Sequence, residues 1–424
     1  MIKSFYAGLT GLAAYASALN IVGNNLANIN TTGFKASTMS FHDLVTATFG
    51  GIATSASGNP MQVGLGTLTN SIDGIFSQGS VQRTTEATNV AIEGNGFFIV
   101  GNTAEERFYT RSGNFSFNNE GYLIDPSGMF VLGYTQRNPD GSIIASGPLE
   151  RIYMPANTIS PPEATTLARL VANLNVRDEV GATYTASLTI YDSKGAPHTL
   201  SIEFTHNGIV GGNDQWAYEV TIPGGDVVGG TPGTPFNLGT GVVEFDGSGN
   251  LIVPGADVAL ATPAFTNGAD PLSFTWQLYD DTGAALLTGY PLPSSTSSTF
   301  TDGYPPGNLT SLIINNEGIL QGIFSNGQIV PLAQLATATF NNNRGLIRVG
   351  QNLFASTLAS GTPSVGAPGS GGRGTLIGSA LESSNVDIAT EFTNMIVFER
   401  GYQANSRIIT TSDQILQETL RLKG

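Results

Sequence analysis

Three histidines and no cysteine are what this chain of 424 residues offers to metal or nucleophile chemistry beyond its carboxylates and hydroxyls. Without thiolates, a metal would need imidazole together with carboxylates. His198 and His206 read as lying on adjacent strands with Glu203 as their one acidic neighbour, so both are expected to be surface strand residues and not ligands; His42 stands alone. Asp246, Ser248 and Asn250 imitate the opening of a calcium loop. That loop needs Gly where Leu251 stands and Glu where Asp257 stands, so the stretch reads as a hairpin turn. Gly94-Asn95-Gly96 begins like a phosphate-binding loop, then lacks the later glycine and leads into a strand. No Gly-x-Ser-x-Gly or paired-carboxylate pattern stands out. The residues predict no active site, no metal and no cofactor.

What is regularly spaced is apolar. In the last forty residues, Ile388, Phe392, Met395, Tyr402, Ile409, Leu416 and Leu420 fall on a 4-3-4-3 spacing, with Glu399, Ser406 and Asp413 as polar members. This is the seam spacing of a coiled coil. Ser384 followed by Asp387 predicts the helix start, and Arg421, Lys423 and Gly424 its end. Such a helix reaches about 55 Å at 1.5 Å per residue, too long and one-sided to cover its own stripe. Phe5, Leu9, Leu12, Ala16, Leu19, Gly23 and Leu26 repeat the spacing at the other end. Two seams of one period predict that the termini pair as a stalk. The alternative is that each helix covers a separate core.

Charge separates these ends from the middle. The net charge is −15, yet residues 1–30 carry +1 and residues 384–424 carry −1. The acidic body argues against nucleic acid as a partner. Charged residues make up 12% against the usual ~25%, and Gly numbers 54, so the surface must be built from Ser, Thr, Asn and Gly. Residues 4–34 carry no charge, but Gly8, Thr10, Gly11, Ser17, Asn20, Asn24, Asn25 and Asn28 are expected to break any membrane span. A signal peptide cut after Ala16-Ser17-Ala18 is disfavoured because the apolar spacing runs through the cut to Leu26.

Beyond the first helix, Ala27-Asn28-Ile29-Asn30-Thr31-Thr32-Gly33-Phe34-Lys35 should stop it, since Asn and Thr compete for backbone hydrogen bonds. This segment, with Leu19 to Asn25 before it, resembles the N-terminal signature of bacterial flagellar rod and hook proteins. Residues 384–416, "SNVDIATEFTNMIVFERGYQANSRIITTSDQIL", resemble their C-terminal one. The family motif residues are Ala27, Asn28, Asn30, Thr31, Gly33, Phe34 and Lys35. The resemblance implies that the terminal helices pack together and line the channel of a hollow helical tube. It implies a homopolymer that meets distal rod, hook cap and hook–filament junction proteins and the flagellar export apparatus. It also implies an extracellular place in the flagellum, reached without a cleaved signal peptide and without membrane insertion.

The expected fold is α+β and multidomain, a coiled-coil stalk followed by two mainly-β domains, the outer inserted into the inner. Residues 1–30 and 384–424 would form the stalk and 31–76 a connector, its 36–75 stretch poor in strand signals and read as a semi-ordered linker. Residues 77–160 and 302–362 would form the inner body, 165–301 the outer domain and 363–383 a flexible Gly/Ser/Pro link. Strands are expected at Val90 to Ile92, Phe97 to Val100, Phe115 to Phe117 and Tyr122 to Ile124, with turns at Glu120-Gly121, Asp140-Gly141, Asp246-Gly247 and Glu317-Gly318. Trp216, Tyr218 and Val220 alternate, with Trp276 and Leu278 expected to pair with them. "YDSKGAPHTL", residues 191–200, resembles the hook proteins' outer domain, which shorter distal rod proteins lack. A distal rod protein or a secreted β-rich adhesin is the alternative.

Overall fold

The computed structural model describes residues 2–44, 46–49, 61–139, 141–155 and 157–421. The described chain is mostly β, with helix α1 at Ile2–Ala27 and helix α2 at Ile388–Arg421. It divides into two compact units, one of residues 1–156, 311–322 and 330–424, the other of residues 157–310 and 323–329.

In the first unit the strand Phe97–Gly101 is buried on both faces, because its five residues alternate between two cores. Phe98 and Val100 join Val90, Ile92, Phe115 and Leu335, while Phe97 and Ile99 join Tyr109, Phe340 and Phe354. Antiparallel pairing to Arg107–Thr110, Phe130–Tyr134 and Thr337–Thr339 brings distant segments to this strand. The strand expectations at Val90 to Ile92 and Phe97 to Val100 hold; the other two shorten to Ser116–Phe117 and Leu123–Ile124.

The second unit has an antiparallel sheet of Thr183–Tyr191, Pro197–Val210, Asn213–Pro223, Pro235–Phe245 and Leu251–Val253. A further sheet is built on Leu167–Asn173, parallel to Ser273–Gln277 and Leu287–Thr288 and antiparallel to Ser295–Thr301. Strict alternation along Pro197–Val210 puts Leu200, Ile202, Phe204 and His206 inside. Trp276 and Leu278 do not pair with Trp216 and Tyr218. Trp276 belongs to the other sheet and meets Tyr218 edge to face at 5.2 Å across the core, since both aromatics are inward residues of facing sheets.

Several expectations need correction. Residues 36–75 are not a semi-ordered linker: Ser37–Asp43 pairs with Thr67–Gly74, and Thr46–Phe49 with Met61–Gly64. Ser and Thr dominate there, with Val63 and Ile72 the only Val or Ile in the four strands, so the signal was weak. The stretch Val45 to Val63 lies partly outside the described residues. Residues 363–383 are not a flexible link either. Ser364–Gly366 pairs with Thr337–Thr339, Thr375–Gly378 with Val90–Glu93, and Ala380–Glu382 with Val81–Arg83. Arg373 pins the Gly/Ser turn between them by donating to the Ala367 carbonyl and the Ser370 hydroxyl.

The turns expected near Gly121, Gly247 and Gly318 are each set by an Asx residue three positions before a glycine, not by the dipeptides named from sequence. Asp246 Oδ1 accepts from the amides of Ser248 and Asn250, and the positive φ of 81° falls on Gly249, not on Gly247. Asn118, Asp125, Asp192, Asp280 and Asn315 build the same loop. Asp140, of the expected Asp140-Gly141 turn, lies outside the described residues. Asp246, Ser248 and Asn250 are thereby spent on a turn.

The start of α2 shifts too. Asp387, not Ser384, caps it: its Oδ1 accepts from the Thr390 amide at 2.7 Å, whereas the Ser384 hydroxyl accepts from Val386. Lys423 and Gly424 lie outside the described residues.

Candidate functional site

The two helices touch along faces of small and polar residues and run antiparallel. Gly8 lies against Ile408 and Ile409, Gly11 against Asn405, Tyr15 against Gly401 and Phe398, and Asn25 against Glu391. A Cβ on Gly401 would sit 2.6 Å from the Tyr15 ring, so the one glycine inside α2 is where the ring beds down. Ala14, Ala18, Val22 and Asn25 are the other buried residues of α1; on α2 they are Glu391 and Ser412.

The expected interface residues are spread differently. Phe5, Leu12, Leu19, Leu26, Met395, Tyr402 and Ile409 are half-buried. Leu9 is 45% exposed, Ile388 52%, Phe392 48% and Leu420 72%, with Leu416 exposed as well. On α1 the buried face lies about one residue before the spacing read from large apolar side chains. At the far end, α2 outruns α1: the register that sets Gly8 opposite Ile408 carries residues 416–421 past the first residue of α1.

The strand pair after α1 packs on the same helices. Tyr15, Phe41 and Phe398 form an aromatic triangle with centroids 5.4 to 6.2 Å apart. Asn25 acts as a surrogate peptide for Ser37, donating Nδ2 to its carbonyl at 2.8 Å and accepting its amide at 2.9 Å. The same Nδ2 lies 3.1 Å from Glu391 Oε1. One amide thus ties α1, α2 and the first strand. The sequence reading named Asn25 only as a polar interruption; its position among the small residues of the buried face was the available signal.

Below the helices lies a buried charged knot. Lys35 donates to Glu382 Oε1 at 2.5 Å and to the Ser77 carbonyl at 2.7 Å. Arg111 approaches Glu382 Oε2 at 3.3 Å and donates to the Gly94 carbonyl at 2.8 Å. Lys35 and Glu382 are fully buried and Arg111 nearly so. Burial pulls the Lys35 ammonium below its usual range, with Glu382 opposing; Arg111 is lowered in the same way. The Gly33 amide donates to the Glu382 carbonyl, and Asn385 accepts from Ala36 and donates to the carbonyls of Ile75 and Ser77. Arg348 stacks over Phe34 and donates to the Lys35 carbonyl. Of the motif residues, Gly33, Phe34 and Lys35 are therefore interior, Asn28 and Thr31 half-buried and hydrogen-bonded to each other, and Ala27 and Asn30 exposed.

The histidines of the second unit contradict the surface reading. His198 and His206 share one strand and are both buried, since each is an inward residue of Pro197–Val210. His198 stacks on Phe265 with its ring nitrogens 3.0 and 3.1 Å from Asp226 and Asp192. His206 stacks on Trp216 and reaches Asp214 at 2.8 Å and the Asp178 carbonyl at 2.9 Å. The acids lie outside the histidines' strand, Asp192 six residues before His198 and Asp214 eight after His206, so a reading confined to the strand saw only Glu203. Among the described residues no group of three or more His, Asp and Glu is placed to hold a metal ion.

The polar residues of α1 do not lower its apolarity as far as expected. By length and composition Ser4–Ala27 is apolar enough to cross a membrane, because Gly and Ala dilute the asparagines. Its contacts with α2 and with the strand pair give that apolarity another use.

This geometry makes the chain one with both termini held on a mainly-β body. The comparisons say which kind. Residues 5–35 match the family described as "Flagella basal body rod protein" and residues 377–422 the "Flagellar basal body rod FlgEFG protein C-terminal" family. Residues 91–168 match the "Flagellar hook protein FlgE/F/G D1 domain" and 158–304 the "Flagellar basal body protein FlaE D2 domain". These place it in the class of flagellar rod and hook proteins. The flagellar hook protein FlgE of Treponema pallidum is 33% identical over 468 residues, covering all of both chains. That of Escherichia coli is 33% identical over 436 residues, covering 99% of this chain and all of that one. The crystal structure of Helicobacter pylori flagellar hook protein FlgE2 shares the fold, with a TM-score of 0.51 at 16% identity over 71% of this chain and all of that one. The chain belongs to the flagellar hook protein family and is a structural subunit of the hook.

Proposed function

We propose that α1 and α2 form a coiled-coil stalk and that many copies, joined by non-closing heterologous contacts, build a hollow curved tube around it. In this reading the tube couples rod to filament as a flexible joint and passes exported subunits through a channel walled by the stalks. Residues 31–76 connect stalk and body, and residues 165–301 form an outer domain inserted into a body of 77–160 and 302–362. The subunit leaves the cell without a cleaved signal peptide and meets distal rod, hook cap, junction and export proteins. The reading assigns it no catalytic role.

The observation that carries this is the apolar surface α2 leaves uncovered. Ile388, Phe392 and Ile396 stand one turn apart on its exposed side, and Ile415, Leu416 and Leu420 continue to the far end of α2. A single chain gains nothing from facing these into water; rows of neighbouring stalks would cover them. The near-neutral termini support the reading, because crowded copies would not repel there, while acidic Ser/Thr/Asn-rich outer surfaces could slide as the tube bends. Fixed outer-domain contacts on the compressed and extended sides of a curved tube would refute the sliding. Removing residues 1–30 and 384–424 tests the stalk: the β units should remain as a soluble monomer by sedimentation, and tubes formed without the ends would overturn the reading.

A further inference from the structure

Glu391 is the one ionisable side chain buried in α2, and it sits where α1, α2 and the first strand meet. Its Oε1 faces Asn25 Nδ2 at 3.1 Å, but that nitrogen also serves the Ser37 carbonyl at 2.8 Å. Its Oε2 is buried with no hydrogen-bond partner. The groups shown around it are uncharged, Asn25 on α1 and, beyond that amide, the Ser37 backbone on the strand, and no cation acts on the carboxylate. The nearest charge acting on it is Asp387, one turn earlier on the same helix and of the same sign. Lys35, a few residues from Ser37, is committed to Glu382 and Ser77.

We propose that Glu391 is a proton-operated latch on the terminal helices: ionised, it loosens their contact, and neutral, it lets them close. An ionised carboxylate here keeps one oxygen desolvated without a donor, an expense that disappears when it takes up a proton. Burial, partly offset by the Asn25 amide and reinforced by Asp387, pushes this carboxyl above the usual value, in keeping with that geometry. Because the folded value is raised, the stabilisation is fully present below the unfolded value of about 4.3 and is lost as pH rises through the folded value. The latch acts within one chain and does not rest on the polymer reading. Its consequence there would be that subunits carry loosely closed termini until neighbours hold them.

Melting of the helical circular dichroism signal of the full chain, followed from pH 4.5 to pH 8, tests this. The wild type should lose its helices at temperatures that fall by a few degrees as pH rises. Glu391→Gln, which keeps an acceptor for Asn25 and removes the charge, should hold its high-temperature melting across that range. A wild-type helix melt flat with pH would overturn the latch, and so would a Glu391→Gln profile that falls as the wild type does. The wild-type profile alone decides should the variant fold poorly.

Discussion

Glu382 carries two cations on one carboxylate, and that ratio decides which substitutions the knot tolerates. Glu382→Gln leaves Lys35 and Arg111 buried together without an anion and should lower stability by about 3–5 kcal/mol. Lys35→Met leaves Arg111 to balance Glu382 and should lower it by less; urea unfolding of both variants gives the order, and equal losses would contradict it. In the second unit, burial works to raise the Asp192 carboxyl, but hydrogen bonds from Asn267, Ala196, His198 and Lys194 prevail and hold it below the usual value. A depressed carboxyl stabilises above its unfolded value of about 3.9, and the gain is lost as pH falls through the folded value. Asp192→Asn should therefore lower stability at neutral pH by about 1–3 kcal/mol and flatten the acid limb of a melting-temperature-against-pH curve. Lys35 was legible as part of a motif, but its partner lies 347 residues away, and an ion pair of that span leaves no local pattern. For His198 the acids were nearer, Asp192 six residues before it and Asp226 28 after, but outside its strand.

At the scale of elements, the helices were legible from their period, and the face they share was only partly so. Spacing read from large side chains picks out Leu9, Ile388, Phe392 and Leu420, which the single chain exposes. Close approach is set instead by Gly8, Gly11, Ala14, Ala18 and Gly401, whose low hydrophobicity hides them in any apolar count. Gly11→Leu should part the helices, because a Cβ there already falls 2.5 Å from the Asn405 side chain. A loss of helical signal at unchanged β melting, worth about 1–3 kcal/mol, would show it. Leu416→Asp should do the reverse, leaving the monomer's fold intact while abolishing polymer, since Leu416 is exposed in the single chain; sedimentation of the purified chain distinguishes the two. The pairing of Ser37–Asp43 with Thr67–Gly74 escaped the reading because its Ser/Thr alternation matches that of a solvated linker; contact with Tyr15, Thr10 and Asn25 of α1 is what orders it.

For the whole molecule, the terminal signatures were enough to reach the rod and hook proteins, and the stretch 191–200 pointed to the hook among them. The acidic charge is confined to the β-rich middle while the ends are nearly neutral, a division that suits a polymer whose copies crowd at one radius and spread at another. The claim on which this depends is that both termini of every subunit lie together at the inner wall. Cryo-electron microscopy of the assembled polymer measures it directly. The account predicts α1 and α2 side by side around the channel, with Ile388, Phe392, Leu416 and Leu420 covered by neighbouring copies. A map with the two helices apart, or with those residues facing solvent in the polymer, would contradict it.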